Sequence, residues 1–181
     1  MGILINTFDP EESRVVEYGF IDTPFGKAMI AFNSQGVCGF EFADDDNNQI
    51  WEDKMRAEWS DLWAHRNKFL DKLLFGIFFQ KNNELTFPLY LCVKGTPFQV
   101  EVWKALTSIP EGTTVTYTDV ANMIGRPESV RAVASAIAEN KIGMFIPCHR
   151  VVPMQGGVGE YRWGTDRKER ILEWEKESAG K

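Results

Sequence analysis

Hydrophobic positions in the first part of the chain come in short runs that polar turns interrupt. Residues 15–22, 27–33 and 36–42 are apolar or alternating stretches, with the length and period-two character of strands. Pro24-Phe25-Gly26 and Ser34-Gln35-Gly36 separate them and supply turn formers, so the pattern predicts a three-stranded antiparallel meander. Between residues 44 and 48 the chain is polar (Asp-Asp-Asp-Asn-Asn); it lacks the Gly and the later Glu of a calcium loop and reads as a solvated loop. From Trp59 the apolar side chains recur at Leu62, Trp63, Phe69, Leu70, Leu73, Leu74, Ile77 and Phe78, a spacing that predicts a helix covering one face of the sheet. The segment 87–97 has Pro and Gly at its ends and reads as a strand running into a junction, which divides the chain into domains 1–93 and 94–181.

Beyond the junction the period changes. Thr96 is placed to cap, and Pro97 to open, a helix through Leu106. Residues 118–124 form a short helical pattern, Gly125-Arg126-Pro127 breaks it, and residues 128–138 resume it, which together predict a helix-turn-helix unit. The second of these helices is slim, with Ala132, Ala134, Ser135, Ala136 and Ala138 along it and Arg131 near its start. The expected fold class is therefore α/β in the α+β sense: a small antiparallel sheet with a covering helix, then a mostly helical domain.

Composition narrows the function. At 181 residues with 44% hydrophobic and 25% charged side chains, the chain has the make-up of a folded globular protein. No apolar run approaches the roughly 20 residues of a bilayer helix, and residues 1–6 show neither the basic start nor the apolar stretch of a secretory leader. A cytoplasmic location without membrane contact is the expectation. Three widely separated cysteines, Cys38, Cys92 and Cys148, are then expected as reduced thiols. The net charge of −6 arises in residues 1–94, which hold nine basic and fifteen acidic side chains, while residues 95–181 hold eleven of each. Within the latter, residues 126–170 carry eight bases against five acids, a local basic face compatible with a small footprint on a nucleic-acid backbone.

Pro147-Cys148-His149-Arg150 is the segment with the most chemical potential. Free cysteines are commonly packing residues, and neighbours on an extended strand face apart. A thiol beside His149 and Arg150 is also placed beside two groups able to favour the thiolate, which an ordinary thiol of pKa about 8.5 scarcely populates at neutral pH. Cys38 and Cys92 lie in apolar strands and read as structural. The residues alone leave open a packed thiol, a cysteine hydrolase and a thiolate that accepts a group.

Residues 97–175 resemble the O6-alkylguanine-DNA alkyltransferases (methylated-DNA–protein-cysteine methyltransferases). The resemblance rests on Pro147-Cys148-His149-Arg150-Val151-Val152, Thr116-Tyr117, Arg131-Ala132-Val133 with Asn140, Tyr161-Arg162-Trp163-Gly164, Arg167-Lys168 and residues 171–175. It implies that Cys148 takes the alkyl group of O6-alkylguanine, and also of O4-methylthymine, once and irreversibly. His149 would take the thiol proton through a water, with Glu175 holding the imidazole. Asn140 would bridge the active-site turn to the recognition unit. Tyr117 would crowd the 3′ phosphate and donate to guanine N3. Arg131 would fill the stack vacated by a flipped base, with Ala132 and Ser135 on the slim helix that enters the minor groove. The backbone at Cys148 and Val151 would accept from the guanine amine, and Tyr161, Arg162 and Trp163 would wall the pocket. The resemblance further implies a ribonuclease-H-like first domain, a monomer, double-stranded DNA as partner, and neither cofactor nor metal. Trp163 stands where some members of the family have smaller residues and is expected to narrow the pocket against bulky adducts; Gly143 replaces a usual Pro or Ala and is expected to loosen the approach to Cys148. The family's lesion-binding proteins without activity lack the cysteine, which this chain has.

Overall fold

A computed structural model describes residues 3–43, 48–68 and 88–179. They divide into two compact units, 1–94 and 95–181.

The first unit is built on a six-stranded sheet: β1 (Ile3–Thr7), β2 (Val15–Thr23), β3 (Gly26–Asn33), β4 (Gly36–Phe42), β5 (Trp63–Arg66) and β6 (Leu89–Val93), in the order β1-β6-β4-β3-β2-β5. The meander is present, since β2 pairs antiparallel with β3 and β3 with β4. The sheet as a whole is mixed rather than antiparallel, because β1 and β4 both run parallel to β6 and β2 runs parallel to β5. A parallel partner must come from a distant part of the chain, so pattern within a short window could not reveal it.

One helical expectation is corrected. Trp59 and Leu62 close a turn, with the Leu62 N–H donating to Trp59 O at 2.8 Å. Trp63–Arg66 is then strand β5, laid beside β2 in the register Val15↔Trp63 to Tyr18↔Arg66. Residues 69–78 of the expected helix, and Asp44–Asn47 of the expected loop, lie outside the described residues. A helix not anticipated, α1 (Asn48–Glu58), precedes the turn. Trp51, Met55 and Trp59 fall four apart and pack on Val16, Tyr18 and Phe20 of β2, Met29 and Ala31 of β3, Cys38 of β4 and Cys92 of β6. Each fully buried side chain of this size contributes about 2 kcal/mol. Both cysteines are free and buried in that layer.

The second unit opens with α2 (Pro97–Leu106). Its capping box is complete: Gln99 N–H donates to Thr96 Oγ1 at 3.3 Å and Thr96 N–H to Gln99 Oε1 at 2.9 Å. A short parallel pair, β7 (Val115–Thr116) with β8 (Val151–Val152), joins distant segments. Thr116 also caps α3 (Tyr117–Met123) through Asp119. A turn at 124–126 and a 3₁₀ turn over Pro127–Ser129 lead into α4 (Val130–Ala138). The Trp103 indole N–H donates to Ala136 O at 2.9 Å and so ties α2 to α4. The chain closes with α5 (Thr165–Ala179), whose inward stripe is Lys168, Ile171, Leu172 and Glu175. No helix among the described residues is long and apolar enough to cross a membrane.

Gly36, at φ 138°, starts β4 so close to β6 that a Cβ there would collide with the Tyr90 carbonyl. Gly36→Ala is expected to cost about 2 kcal/mol or more, read as a lowered urea midpoint; an unchanged midpoint would show that the β4–β6 pairing has room to give.

Candidate functional site

Cys148 sits in a tight turn. Residues Cys148–Arg150 form a 3₁₀ turn that passes directly into β8, with the Cys148 N–H on Ile146 O at 2.7 Å and the Arg150 N–H on Pro147 O at 3.0 Å. This corrects the expectation of an extended strand, and the side chains now fan out by about a third of a turn each instead of alternating. Cys148 faces a cavity, whereas His149 and Arg150 turn to α5.

The turn is held from α4. Asn140, two residues beyond that helix and buried, donates through Nδ2 to Ile146 O at 2.9 Å and to Cys148 Sγ at 3.2 Å, and accepts the Ile142 N–H at 2.9 Å through Oδ1. Burial pushes the Cys148 thiol up, and the Asn140 amide and the Lys168 and Arg162 cations offset part of that rise. His149 and Arg150, expected from their neighbouring positions to favour the thiolate, both engage Glu175. Arg150 is engaged elsewhere: Nε and Nη2 grip the Glu175 carboxylate at 2.8–3.2 Å, and Nη1 donates to Ile109 O at 2.6 Å.

His149 is fully buried, and its Nε2 lies 2.8 Å from Glu175 Oε1. Burial alone would raise the Glu175 carboxyl, yet hydrogen bonds from His149 and Arg150 draw it down to about 2. Glu175 is therefore an anion that only accepts, so Nε2 carries the ring proton. Burial lowers the His149 pKa against the pull of Glu175, which keeps the ring neutral and leaves Nδ1 as an acceptor. Nδ1 is buried without a hydrogen-bond partner among the described residues. A neutral imidazole with its outer nitrogen oriented by a carboxylate is the arrangement of a general base.

The cavity has a volume of about 400 Å³. Cys148 and Asn140 line it together with Tyr117, the first residue of α3, and with Glu160, Tyr161 and Arg162 of the segment before α5. Ala134 and Ala138 of α4 complete one side, where larger side chains would fill the space. Burial raises the Tyr117 hydroxyl, and the charges of Cys148 and Glu160 raise it further. A space of this size, apolar on one wall and polar on the other, is large enough for a planar ring system.

The remaining expected residues lie elsewhere. Arg131, Ala132 and Ser135 are exposed on α4. Val151 is buried and its carbonyl accepts from Lys168 Nζ at 2.7 Å. Trp163 does not line the cavity: its indole packs over Gly143, where a Cβ would lie 2.7 Å from the ring, and meets the Tyr161 ring at 5.1 Å. Gly143 is thus the seat for Trp163 rather than a loosened approach to Cys148, and Trp163 bears on the cavity through Tyr161 and Arg162, whose guanidinium lies 6.0 Å from the indole ring. Three participants were not assigned from the sequence: Arg150 as the clamp on Glu175, Glu160 in the cavity wall, and Lys168. Lys168 and Glu175 fall seven apart on the apolar stripe of α5, and charged residues at core-facing helical positions were the available signal. No group of residues able to hold a metal occurs among the described residues.

Comparison with known proteins agrees with this geometry. The model of the family "6-O-methylguanine DNA methyltransferase, DNA binding domain" matches residues 97–177. The methylated-DNA–protein-cysteine methyltransferase of Methanosarcina barkeri is 36% identical over 159 residues, 87% of this chain and 96% of that protein. The bifunctional transcriptional activator/DNA repair enzyme Ada of Escherichia coli is 39% identical over 169 residues, which are 92% of this chain and 47% of Ada; the chain thus spans about half the length of that relative. Among solved structures, the Mycobacterium tuberculosis O6-methylguanine methyltransferase superposes with a TM-score of 0.68 at 32% identity, covering 90% of this chain and 94% of the other. The same organism's OGT in complex with DNA gives 0.68 at 30% identity, with the same coverage. The chain belongs to the methylated-DNA–protein-cysteine methyltransferase family.

Two outcomes test the site. Because the Glu175 carboxyl falls from an ordinary 4.5 to about 2 on folding, its stabilisation is complete above pH about 4.5 and is lost as pH falls toward 2, by about 3 kcal/mol in all. Urea unfolding against pH should show this acid limb, and Glu175→Gln should flatten it. Asn140→Ala, which leaves the Ile146 carbonyl and the Ile142 N–H unpaired in the interior, should cost about 2 kcal/mol or more in the same assay.

Proposed function

We propose that this chain repairs DNA by moving the methyl group of O6-methylguanine in a duplex to its own Cys148. The observation that carries the reading is the buried Cys148 at one end of a base-sized cavity, beside a neutral His149 held by Glu175. A water bridging Cys148 and the free Nδ1 of His149 would pass the thiol proton to the imidazole. The thiolate then attacks the methyl carbon: an S–C bond forms, the C–O6 bond breaks, and its electron pair stays on the leaving guanine. The base regains a proton and becomes ordinary guanine. Tyr117, whose hydroxyl stays protonated, is the donor for N3 as charge moves into the ring. A thioether is a poor leaving group, so each molecule acts once. O4-methylthymine presents the same methyl–oxygen bond and is the second substrate.

The target atom is out of reach inside a stacked duplex, and extrusion costs a few kcal/mol. The helix-turn-helix reading of α3 and α4 puts the exposed Arg131, Ala132 and Ser135 in the minor groove, with Arg131 replacing the extruded base. The excess of bases in residues 126–170 supports a small backbone footprint. The first unit, a ribonuclease-H-like domain in this reading, serves as scaffold, and the protein acts as a monomer in the cytoplasm. The small-residue wall from Ala134 and Ala138 supports a base entering edge-on beside α4.

Incubation with a short duplex carrying one O6-methylguanine, followed by intact-protein and peptide mass spectrometry, tests this. One methyl on Cys148, saturating at one per chain while guanine is restored, is expected, with none on Cys148→Ala. Binding of the lesion without methyl transfer would replace repair by damage recognition. His149→Ala should slow the transfer by about 10²-fold or more while leaving duplex affinity unchanged.

A further inference from the structure

Tyr161 presents an unexplained polar atom. Its ring lines the cavity that holds Cys148, yet its hydroxyl oxygen is buried and has no hydrogen-bond partner among the described residues. The ring is fixed on two sides: the Trp163 indole packs against it at 5.1 Å, itself seated over Gly143, and the His149 ring stands edge-on at 6.4 Å. A buried hydroxyl without a partner costs about 1–3 kcal/mol, and a phenol that served only as wall could be a phenylalanine. Two neighbouring rings also carry a buried nitrogen without a hydrogen-bond partner among the described residues, His149 at Nδ1 and Trp163 at Nε1, and of the two only the imidazole nitrogen can accept a proton.

We propose that the Tyr161 hydroxyl is a positioning group for methyl transfer, holding together with His149 Nδ1 the water through which Cys148 loses its proton. The inference rests on the alkyl-transfer reading of the same site. A buried water is held by two to four polar partners, and here the partners complement each other. With Nε2–H committed to Glu175, Nδ1 accepts one water proton. The water accepts the S–H proton of Cys148, and the Tyr161 O–H donates to its second lone pair. The proton leaves sulfur for the water as a water proton passes to Nδ1, so the water is regenerated and nothing is oxidised. Without the third partner, the lone pair facing sulfur is no longer fixed in direction. Burial and the charge of Cys148 hold the phenol well above its ordinary pKa, so it remains a donor through the whole pH range of the reaction.

Tyr161→Phe separates this role from packing, since it keeps the ring and removes one oxygen. The free protein is treated with iodoacetamide across a pH series, and alkylation of Cys148 is followed by peptide mass spectrometry with Cys148→Ala as blank. The reactivity midpoint is expected to move upward by about half a pH unit or more, and the rate near neutrality to fall about 3-fold or more. Methyl transfer from saturating duplex should slow by a similar factor with unchanged duplex affinity, and the deficit should shrink as pH rises and solution base replaces the relay. The double variant Tyr161→Phe/His149→Ala should be no slower than His149→Ala alone. A Tyr161→Phe pH profile that coincides with wild type, or additive losses in the double variant, overturns the proposal. A raised melting temperature with unchanged reactivity does so too, because it marks an oxygen that had no partner. If wild type takes no methyl from the duplex, the repair reading fails on its own, while the iodoacetamide profile still decides whether Tyr161 acts on the thiol.

Discussion

One buried carboxylate organises the second unit. Glu175 accepts from His149 Nε2, from Nε and Nη2 of Arg150 and from the Gly112 N–H. Arg150 reaches on to Ile109 O. The last helix thereby grips the turn that carries the nucleophile and the loop before β7. A carboxylate this deep would be prohibitive alone; it is tolerated because one cation and three kinds of N–H donor meet it. Neutralising it would release the His149 ring, free Arg150 and leave the 109–112 loop without its anchor. The orientation of the base and the stability of the unit therefore depend on the same hydrogen bonds.

The cavity exists because side chains beside it are small or are held back. Ala134 and Ala138 keep α4 slim where it borders the cavity, and the glycine at 143 lets the Trp163 indole sink into the interior instead of the opening. Trp163 then buttresses Tyr161 from behind. Gly143 and Trp163 are complementary, one supplying the space that the other fills. A bulky residue at 163 with a Cβ at 143 would force the indole to move, and Tyr161 with it.

Much of this was legible in the sequence, where local chemistry decides local structure. Thr96-Pro97 marked the start of α2 because capping is a four-residue affair, and the β2–β4 meander followed from alternation and turn residues. The parallel pairings of β1, β5 and β6 were not legible, since nothing within a short window encodes a partner far along the chain. Trp63 shows the limit well: its apolar spacing suited a helix, but an edge pairing with Val15 of β2 won, and Trp63 stays 69% exposed. Conversely α1 hid Trp51 and Met55, and the turn after it Trp59, among polar residues. At the site, adjacency misled: Arg150 follows Cys148 by two residues yet serves Glu175, while Lys168 and Arg162, farther along the chain, are the cations that bear on the thiol.

The three cysteines show why burial alone does not choose a nucleophile. Burial raises the thiol pKa at Cys38, Cys92 and Cys148 alike, so none of them is a ready thiolate. Cys92 even receives an amide hydrogen bond, from Asn33 Nδ2 at 3.2 Å, as Cys148 does from Asn140. What differs is what each faces. Cys38 faces a packed apolar layer and the Cys92 thiol is committed to Gln35 Oε1 at 3.3 Å, whereas Cys148 faces a cavity and has a neutral base whose acceptor nitrogen is uncommitted. Lys168 adds to this contrast: its buried ammonium ties Val151 O at 2.7 Å to Glu160 O at 3.4 Å, closing the loop that forms one cavity wall while placing a positive charge near sulfur. A thiol kept protonated at rest is protected from stray electrophiles and oxidants. It becomes a nucleophile only when a base in the cavity takes its proton. For a side chain that can be alkylated once, that restraint matters as much as reactivity.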